Sequence, residues 1–218
     1  MSGADGKLNA VAAGAVSSST GVWMDAVLAA YLNDLYRQGR EHDAPLADRL
    51  LRLRNMTPEA AGLVSLLIRA QGSSHVLEIG TSNGYSAIWF ADAVRDTGGK
   101  LTTVETQQDR ADAARRHLER ASVAAYADVV HADGADVLAR FGDASVDLVV
   151  LDAERPAYPR YLDLLRRVLT PRGIVAVDNA VSHAGQLTEF RALLEADAAF
   201  AVHLQQVGDG VLTAVRVG

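Results

Sequence analysis

Oxygen-bearing side chains follow two of the predicted strands at the point where each strand ends. Asp152 comes directly after VDLVVL, and Asp178 and Asn179 come directly after GIVAV. Because ligands bind outside the carboxyl ends of strands in an open parallel sheet, we expect these three side chains to converge. Mg²⁺ takes about six oxygen ligands, so three protein oxygens would leave positions for two substrate oxygens and water. The alternative is that the carboxylates cap helices or contact a cofactor without metal.

A glycine-rich turn and another carboxylate follow the first two predicted strands. HVLEI leads into GTSNGYS, where Gly80 and Gly84 permit a tight turn and a close approach of the backbone to a ligand. The helix that follows presents its N-terminal amides to the same region. Glu105 ends the second strand and could accept hydrogen bonds from both hydroxyls of a ribose. Alone, the turn could be only a compact connection, and Glu105 a solvated strand end.

A third carboxylate follows the third predicted strand. Asp133 lies between Ala132 and Gly134, where it could accept a hydrogen bond from an exocyclic adenine amine while its small neighbours leave room for the ring. A helix N-cap is the alternative for Asp133. The order of these features after three successive strands favours a nucleoside site. The spacing G-x-x-x-G, rather than G-x-G-x-x-G, disfavours a dinucleotide.

Four segments, VLEIGTSNGYSAIWFA, VE, DAERPAY and VDNA, resemble the catechol and caffeoyl-CoA type of S-adenosylmethionine-dependent O-methyltransferase, over about residues 56–218. The resemblance implies that Glu78 secures the methionine amino group of the cofactor, that Tyr85 and Ser86 line its site, and that Met56 packs near substrate and cofactor. We expect Trp89 to be a core residue instead. The cofactor-binding residues are then Met56, Glu78, Gly80, Thr81, Ser82, Gly84, Tyr85, Ser86, Glu105, Ala132, Asp133, Gly134 and Asp152.

The resemblance also implies a chemistry for the residues after the fourth and fifth strands. Methyl transfer from a sulfonium needs a nucleophile in line with the methyl carbon, and a neutral phenol is a poor one until it loses its proton. A divalent cation, Mg²⁺ by preference, held by Asp152, Asp178 and Asn179 would lower the pKa of the acceptor hydroxyl and orient it. The expected acceptor is a small phenolic molecule with vicinal hydroxyls.

Arg155 departs from the pattern of many relatives, which have lysine three residues after the aspartate corresponding to Asp152. A guanidinium stays protonated, so Arg155 is not a general base. It could favour the substrate anion electrostatically, or pair with Glu154 or another carboxylate. His183, four residues after Asn179, has an ordinary pKa that suits proton transfer, although a surface histidine is the alternative. Solvent or a hydroxide on the metal are further candidates. The predicted catalytic residues are Asp152, Arg155 and His183.

The elements that must position these residues alternate between strand and helix. HVLEI, LTTVE, DVVHA, VDLVVLD and GIVAVD are separated by predicted helices at residues 85–94, 108–120, 135–140 and 158–169. This pattern predicts an α/β fold with a mostly parallel sheet covered on both faces. AFAVHLQQV and GVLTAVRV flank Gly208 and Gly210 and predict a hairpin. The fold class is therefore a Rossmann-like, doubly wound, seven-stranded sheet with an antiparallel C-terminal hairpin and an N-terminal helical extension.

The N-terminal part of the chain predicts helices over residues 22–38, 45–53 and 57–70. Gly39 is expected to end the first helix, and Thr57 and Pro58 to begin the third. We expect residues 1–55 to be a helical extension and residues 56–218 the methyltransferase domain. The extension could cover the acceptor pocket, contact a second subunit or pack on its own domain, and the resemblance implies a homodimer.

Composition limits the other possibilities. With 21 basic and 27 acidic side chains the formal net charge is -6, which disfavours a nucleic-acid partner. The chain has no cysteine, so any metal must use oxygen or imidazole ligands. The first twenty residues do not resemble a signal peptide, and no apolar run approaches bilayer length, so we expect a frayed start, no membrane contact and a cytoplasmic location. A hydroxylated tRNA base as acceptor, and a nucleoside-binding protein without turnover, are the alternative functions.

Overall fold

The computed structural model describes residues 24–217, which contain seven strands and seven α-helices. The strands are β1 (His75–Ile79), β2 (Lys100–Glu105), β3 (Ala127–His131), β4 (Val146–Leu151), β5 (Leu169–Val177), β6 (Phe200–Gln205) and β7 (Val211–Arg216). The helices are α1 (Ala26–Asp43), α2 (Pro58–Gln71), α3 (Tyr85–Thr97), α4 (Gln108–Arg120), α5 (Gly134–Arg140), α6 (Leu162–Val168) and α7 (Ala184–Ala196).

The strands form one sheet in the order β3-β2-β1-β4-β5-β7-β6. The first five are parallel to their neighbours, whereas β7 runs antiparallel to both β5 and β6. The predicted fold class is confirmed. The antiparallel strand β7 lies between β5 and the edge strand β6. The chain moves outward from β1 to β3 and then continues on the other side of β1 with β4. This reversal is the switch point at which open α/β sheets bind ligands.

Both faces of the sheet are buried, because alternate residues of each central strand point to opposite faces. On β4, Leu148 and Val150 pack in the core that includes α1, α2 and α3, whereas Val149 and Leu151 pack in the core that includes α6 and α7. Trp89 is 2% exposed within the first core, as predicted. Both faces of the central strands are therefore packed up to the point where the strand ends carry polar residues.

Helix α2 begins as the sequence predicts. Thr57 Oγ1 accepts a hydrogen bond from the Ala60 backbone N–H, Pro58 occupies the first turn, and Gly72 ends the helix with a φ of 69°. Helix α1 differs from its prediction: it begins after the N-cap Asp25 and continues through Gly39 to Asp43. Residues 22 and 23 of the predicted helix, and the expected frayed start, lie outside the described residues.

The structure differs from the predicted helices at three further places. Residues 45–53 form only one 3₁₀ turn, Arg49–Leu51, because the Asp43 carboxylate accepts hydrogen bonds from the backbone N–H groups of Leu53 and Arg54 and holds the chain extended. Helix α7 was not predicted at all; it carries Leu187, Phe190 and Leu194 into the core. The predicted helix over 158–169 is shortened, because residues 155–161 form a 3₁₀ helix before α6. No helix among residues 24–217 is long and apolar enough to cross a membrane.

Helix α1 packs on the same core as the sheet. Leu28, Leu32 and Leu35 are buried together with residues of α2 and α3. Helix α1 of the N-terminal extension therefore packs on its own domain, which was one of the three possibilities given for the extension.

Candidate functional site

A cavity of about 360 Å³ opens at the carboxyl ends of β1, β2, β3 and β4. The structure brings most of the predicted site residues together on its wall. These are Met56, Gly80, Thr81, Ser82, Tyr85, Ser86, Glu105, Ala132, Asp133, Gly134, Asp152 and Asn179. Five other predicted residues do not line it, namely Glu78, Gly84, Arg155, Asp178 and His183.

The turn after β1 can be built only with glycine at its first position. Gly80 has a φ of 109°, and a Cβ there would lie 2.1 Å from the Asp152 backbone oxygen. The absent side chain thus allows the turn to pack directly against the residue that follows β4. Gly84 has a φ of 87° and begins α3, and its Cα faces Ala114 of α4 rather than the cavity. The two predicted glycines therefore have different surroundings.

Glu105 fixes the glycine turn from the end of β2. It is 7% exposed, and one carboxylate oxygen accepts a hydrogen bond from the Ser82 backbone N–H at 2.8 Å. The other oxygen accepts from the backbone N–H groups of Thr106 at 2.8 Å and Gln107 at 2.9 Å. Glu105 is thus not a solvated strand end. It is a buried carboxylate on the cavity wall whose orientation is set by three backbone donors.

Glu78 lies behind the cavity wall, where it is fully buried. The hydroxyls of Ser86 and Thr103 donate hydrogen bonds to its two carboxylate oxygens. Burial raises the pKa of Glu78 to about 8, although both hydrogen bonds act in the opposite direction. Ser86 lines the cavity, so Glu78 reaches the cavity through this hydroxyl.

Asp133 is the N-cap of α5, which was the alternative interpretation of this residue. Its side chain accepts a hydrogen bond from the Ala135 backbone N–H at 2.8 Å. Its carboxylate is nevertheless exposed at the cavity wall. Next to it, a Cβ on Gly134 would lie 2.5 Å from Ile79 Cγ2 and 3.3 Å from the Tyr161 hydroxyl. The small residue keeps α5 close to β1.

Tyr85 belongs both to the core and to the site. Its ring lies 5.4 Å from the ring of Tyr36 and 6.5 Å from that of Trp89, centroid to centroid. It also lines the cavity. Burial raises the pKa of its hydroxyl, so the phenol stays protonated at any ordinary pH.

Asp152, Asp178 and Asn179 form a polar cluster at the ends of β4 and β5. Asp178 is 2% exposed, and neither of its carboxylate oxygens has a hydrogen-bond partner among the described residues. Burial, followed by the nearby charge of Asp152, raises the pKa of Asp178 well above its usual value. Burial also raises the pKa of Asp152 to about 6, against the opposing effect of Arg155. The cluster therefore places two poorly solvated carboxyls next to each other.

Asn179 is the third member of this cluster and lines the cavity. Within residues 24–217, no group of three or more histidine, cysteine, aspartate or glutamate side chains is arranged to hold a metal ion. A cation bound here would therefore depend on the amide oxygen of Asn179 in addition to the two carboxylates.

Arg155 is 3% exposed and lies against this cluster. Its Nη2 donates a hydrogen bond to Asn179 Oδ1, and its Nη1 lies 3.5 Å from Gln186 Oε1. Of the alternatives left open for Arg155, an ion pair with Glu154 is not formed, because Glu154 instead forms ion pairs with Arg49 at 3.0 Å and Arg54 at 3.1 Å.

His183 is partly buried at the N-terminus of α7, where its Nδ1 lies 2.9 Å from the Ser182 hydroxyl. Burial, followed by the charges of Arg155 and Arg49, lowers its pKa. The histidine is therefore neutral near pH 7, and it lies outside the cavity wall.

Residues 44–57, which we call the covering segment, supply wall residues that no motif indicated. Leu50, Leu53, Arg54 and Asn55 line the cavity beside the predicted Met56. The Ser82 hydroxyl donates a hydrogen bond to the Leu53 backbone oxygen at 2.8 Å, which ties the segment to the glycine turn. Arg110 of α4 donates to its backbone as well. Such contacts between distant parts of the chain leave no local pattern in the sequence.

Comparison with known proteins agrees with this architecture. The model of the O-methyltransferase family matches residues 28–217. A protein of Mycobacteroides abscessus that is assigned by name to the O-methyltransferases is 30% identical over 174 residues, which are 74% of this chain and 80% of the relative. The catechol O-methyltransferase of Niastella koreensis is 28% identical over 211 residues, which are 85% of this chain and 94% of the relative.

Solved structures are similar over nearly the same range. The O-methyltransferase TomG of Streptomyces achromogenes, which is involved in tomaymycin synthesis and was crystallised with S-adenosylmethionine, superposes with a TM-score of 0.70 at 27% identity. The match covers 89% of this chain and 91% of TomG. An O-methyltransferase of Bacillus cereus in complex with S-adenosylhomocysteine has the same fold, with a TM-score of 0.71 at 24% identity over 86% of this chain and 90% of that chain.

Proposed function

Because the chain belongs to the S-adenosylmethionine-dependent O-methyltransferase family, we propose that it methylates a hydroxyl oxygen of a small phenolic acceptor with vicinal hydroxyls. The observation that carries the proposal is one cavity that joins the glycine turn and Glu105 to Asp152 and Asn179. The glycine turn and Glu105 suit a nucleoside, and Asp152 and Asn179 suit a polar acceptor. The catechol O-methyltransferase among the relatives supports this acceptor class.

S-adenosylmethionine would lie along the ends of β1, β2 and β3. Glu105 would accept hydrogen bonds from the ribose hydroxyls, since its orientation is already fixed by three backbone donors. Asp133 would accept from the adenine amine beside the small residues Ala132 and Gly134. Ser86, oriented by Glu78, would contact the methionine end. A nucleoside without phosphates requires no cationic clamp, and the turn provides none.

The reaction itself needs positioning and charge control. A bond forms between the acceptor oxygen and the methyl carbon while the bond from that carbon to sulfur breaks, and the hydroxyl proton leaves. The sulfonium becomes a neutral thioether, so positive charge disappears from the cavity as the phenolate charge is consumed. A partly dehydrated cavity favours this cancellation of charge. Alignment of the acceptor oxygen with the methyl carbon in a near-attack geometry would also contribute to the rate.

The residues after β4 and β5 fit a hard divalent cation. Two carboxylates and one amide oxygen are the donor types that Mg²⁺ prefers, and the Asp178 oxygens are buried without another partner among the described residues. Asp152, Asp178 and Asn179 would hold the ion. When bound, it would lower the pKa of the acceptor hydroxyl and orient the oxygen.

The proton of the acceptor is proposed to leave through solvent to His183. This side chain is neutral near pH 7 and partly exposed, but it does not touch the cavity wall. Arg155 stays protonated and accepts no proton. A cytoplasmic location and a homodimer stay predictions from the sequence.

The proposal is tested with the full chain by calorimetry and product analysis. We expect S-adenosylhomocysteine to bind with one site per chain, and mass spectrometry to detect a monomethylated catechol that depends on S-adenosylmethionine. EDTA should abolish the product and added Mg²⁺ should restore it. Binding without methylation of any hydroxyl acceptor, tRNA included, would identify a nucleoside-binding protein without turnover. Undiminished methylation in EDTA would reject the role of the cation alone.

A further inference from the structure

Arg155 occupies a position from which it can interfere with the proposed cation. The guanidinium is almost fully buried, yet none of the ion pairs within residues 24–217 includes it. Its hydrogen bonds go to the amide oxygens of Asn179 and Gln186, and its Nε has no partner among the described residues. A buried positive charge without a carboxylate partner is uncommon, because burying a charge is unfavourable unless it is paired.

The hydrogen bond to Asn179 involves the atom that a cation needs. Asn179 has only one side-chain oxygen, and its amide nitrogen cannot serve as a metal ligand in its place. The backbone of Asn179 has a φ of 59°, so the residue is held in a left-handed conformation at the end of β5. A cation and a guanidinium on this one oxygen would lie within a few ångströms of each other, where burial reduces the screening of like charges.

We propose that the guanidinium of Arg155 and the divalent cation compete for Asn179 Oδ1, so that the cation binds only when Arg155 gives up this hydrogen bond. The inference rests on the proposed function, because the cation belongs to it. Arg155 does not line the cavity, and it acts through Asn179 as a positioning residue. While it contacts Asn179, its charge also offsets the charges of Asp152 and Asp178.

The competition makes a prediction about metal affinity that does not depend on turnover. Binding of Mn²⁺ to the full chain, with S-adenosylhomocysteine present, is measured from the electron paramagnetic resonance signal of the free ion. We expect Arg155→Met to lower the Kd for Mn²⁺ by about tenfold or more, because a neighbouring like charge has been removed. Arg191→Met is the matched control, because this exposed arginine of α7 pairs with Glu195 alone among residues 24–217, and its loss should leave the Kd unchanged.

A second variant tests the same idea without removing the buried charge, in case Arg155→Met does not fold. Asn179→Asp adds an anionic ligand, which by itself increases the affinity for a divalent cation. Aspartate tolerates the left-handed backbone at this position. Under competition it also binds Arg155 more tightly, so we expect a Kd for Mn²⁺ no lower than that of the wild type.

The outcomes separate this inference from the proposed function. A Kd lowered by less than about tenfold for Arg155→Met, or a Kd below that of the wild type for Asn179→Asp, overturns the competition while leaving the cation site in place. If no variant binds Mn²⁺ although S-adenosylhomocysteine still binds, the cation is removed from the proposed function, and the competition is overturned with it. Failure of S-adenosylhomocysteine to bind to the wild type contradicts the cofactor site instead.

Discussion

Replacing Gly80 by alanine tests how closely the cofactor turn and the residue after β4 depend on each other. The new Cβ would lie 2.1 Å from the Asp152 backbone oxygen and 2.6 Å from its carbonyl carbon. Both contacts are with backbone, which cannot move aside as the end of a flexible side chain can. The φ of 109° adds a second penalty, because alanine rarely adopts it.

The energetic costs of the unfavourable φ and of the steric contact with Asp152 can be assessed one at a time. A residue held in a sparsely populated backbone region costs about 1–3 kcal/mol, and overpacking against a rigid neighbour costs about another 1–3 kcal/mol. We therefore expect Gly80→Ala to lower the free energy of unfolding by about 2–6 kcal/mol. Gly98→Ala is the matched control, since Gly98 has a φ of 73° and a Cβ there would meet nothing within 4 Å. It should cost only about 1–2 kcal/mol.

The free energies are measured by urea unfolding, followed by circular dichroism, and the affinity for S-adenosylhomocysteine by calorimetry. Relief of the clash requires the turn to move away from Asp152, so Gly80→Ala should also weaken binding by at least about tenfold, or about 1.4 kcal/mol. Gly98 lies at the far end of α3, and its variant should bind normally. Equal destabilisation by the two substitutions, with unchanged binding, would show that the contact with Asp152 is unimportant and would refute this reasoning.

Three carboxylates near the cavity lead to further predictions. Glu105→Gln should weaken S-adenosylhomocysteine binding in calorimetry by about 10- to 100-fold, because hydrogen bonds to a charged acceptor contribute about 1.5–3 kcal/mol; a change below threefold would contradict the role of Glu105. The Glu78 carboxyl, with its pKa of about 8, keeps in the folded chain a proton that the unfolded chain releases near pH 4.5. Its contribution to stability should fall between about pH 4.5 and 8, by up to about 1.4 kcal/mol per pH unit, and urea unfolding of Glu78→Gln should lack this slope. Identical slopes would argue against the raised pKa. Glu154→Gln should lower the free energy of unfolding by no more than about 1 kcal/mol, because its ion pairs with the covering segment are exposed. Stopped-flow measurements should nevertheless detect faster release of S-adenosylhomocysteine, because the covering segment has lost these ion pairs. A larger loss of stability would mean that the ion pairs stabilise more of the fold than the covering segment.

The sequence was sufficient where short-range patterns determine the structure. Strand β1 and helix α4 have the predicted bounds, because a short run rich in β-branched residues and the apolar positions of an amphipathic helix are both local signals. The glycine turn and Glu105 were likewise found from their places after successive strands. Parallel strands end at the same edge of a sheet, so the order along the chain is sufficient to bring such residues together.

The errors at the first and the last helix have different causes. Gly39 was expected to stop α1, but a Cβ there would lie 2.4 Å from Asn55 Nδ2, so the glycine serves close packing in the middle of a helix. Helix α7 contains a clear apolar repeat, Leu187, Phe190 and Leu194, but no side-chain cap at its start. The repeat could have been recognised, whereas the reason for Gly39 depends on a residue in another part of the chain.

The partner of Arg155 could not have been predicted for a related reason. Glu154 is its neighbour in sequence and has the opposite charge, so an ion pair between the two was one of the possibilities that the sequence left open. In the folded chain the covering segment brings two arginines to Glu154 from about a hundred residues away. Arg155 instead donates a hydrogen bond to the amide oxygen of Asn179. Glu154 is therefore paired with arginines that only the tertiary structure brings to it.

The charges of the site suggest why the protein retains residues that do not favour folding. Burial raises the pKa of Glu78, Asp152 and Asp178, which means that their ionised forms are disfavoured in the folded chain. A sulfonium in the cavity and a cation between the two aspartates carry the opposite charge, so each would favour the ionised forms. A ligand that binds only the folded chain then stabilises it, by an amount that grows with ligand concentration. On this argument, neutral substitutions such as Glu78→Gln increase the stability of the unliganded chain at neutral pH while they reduce the stabilisation that the cofactor provides.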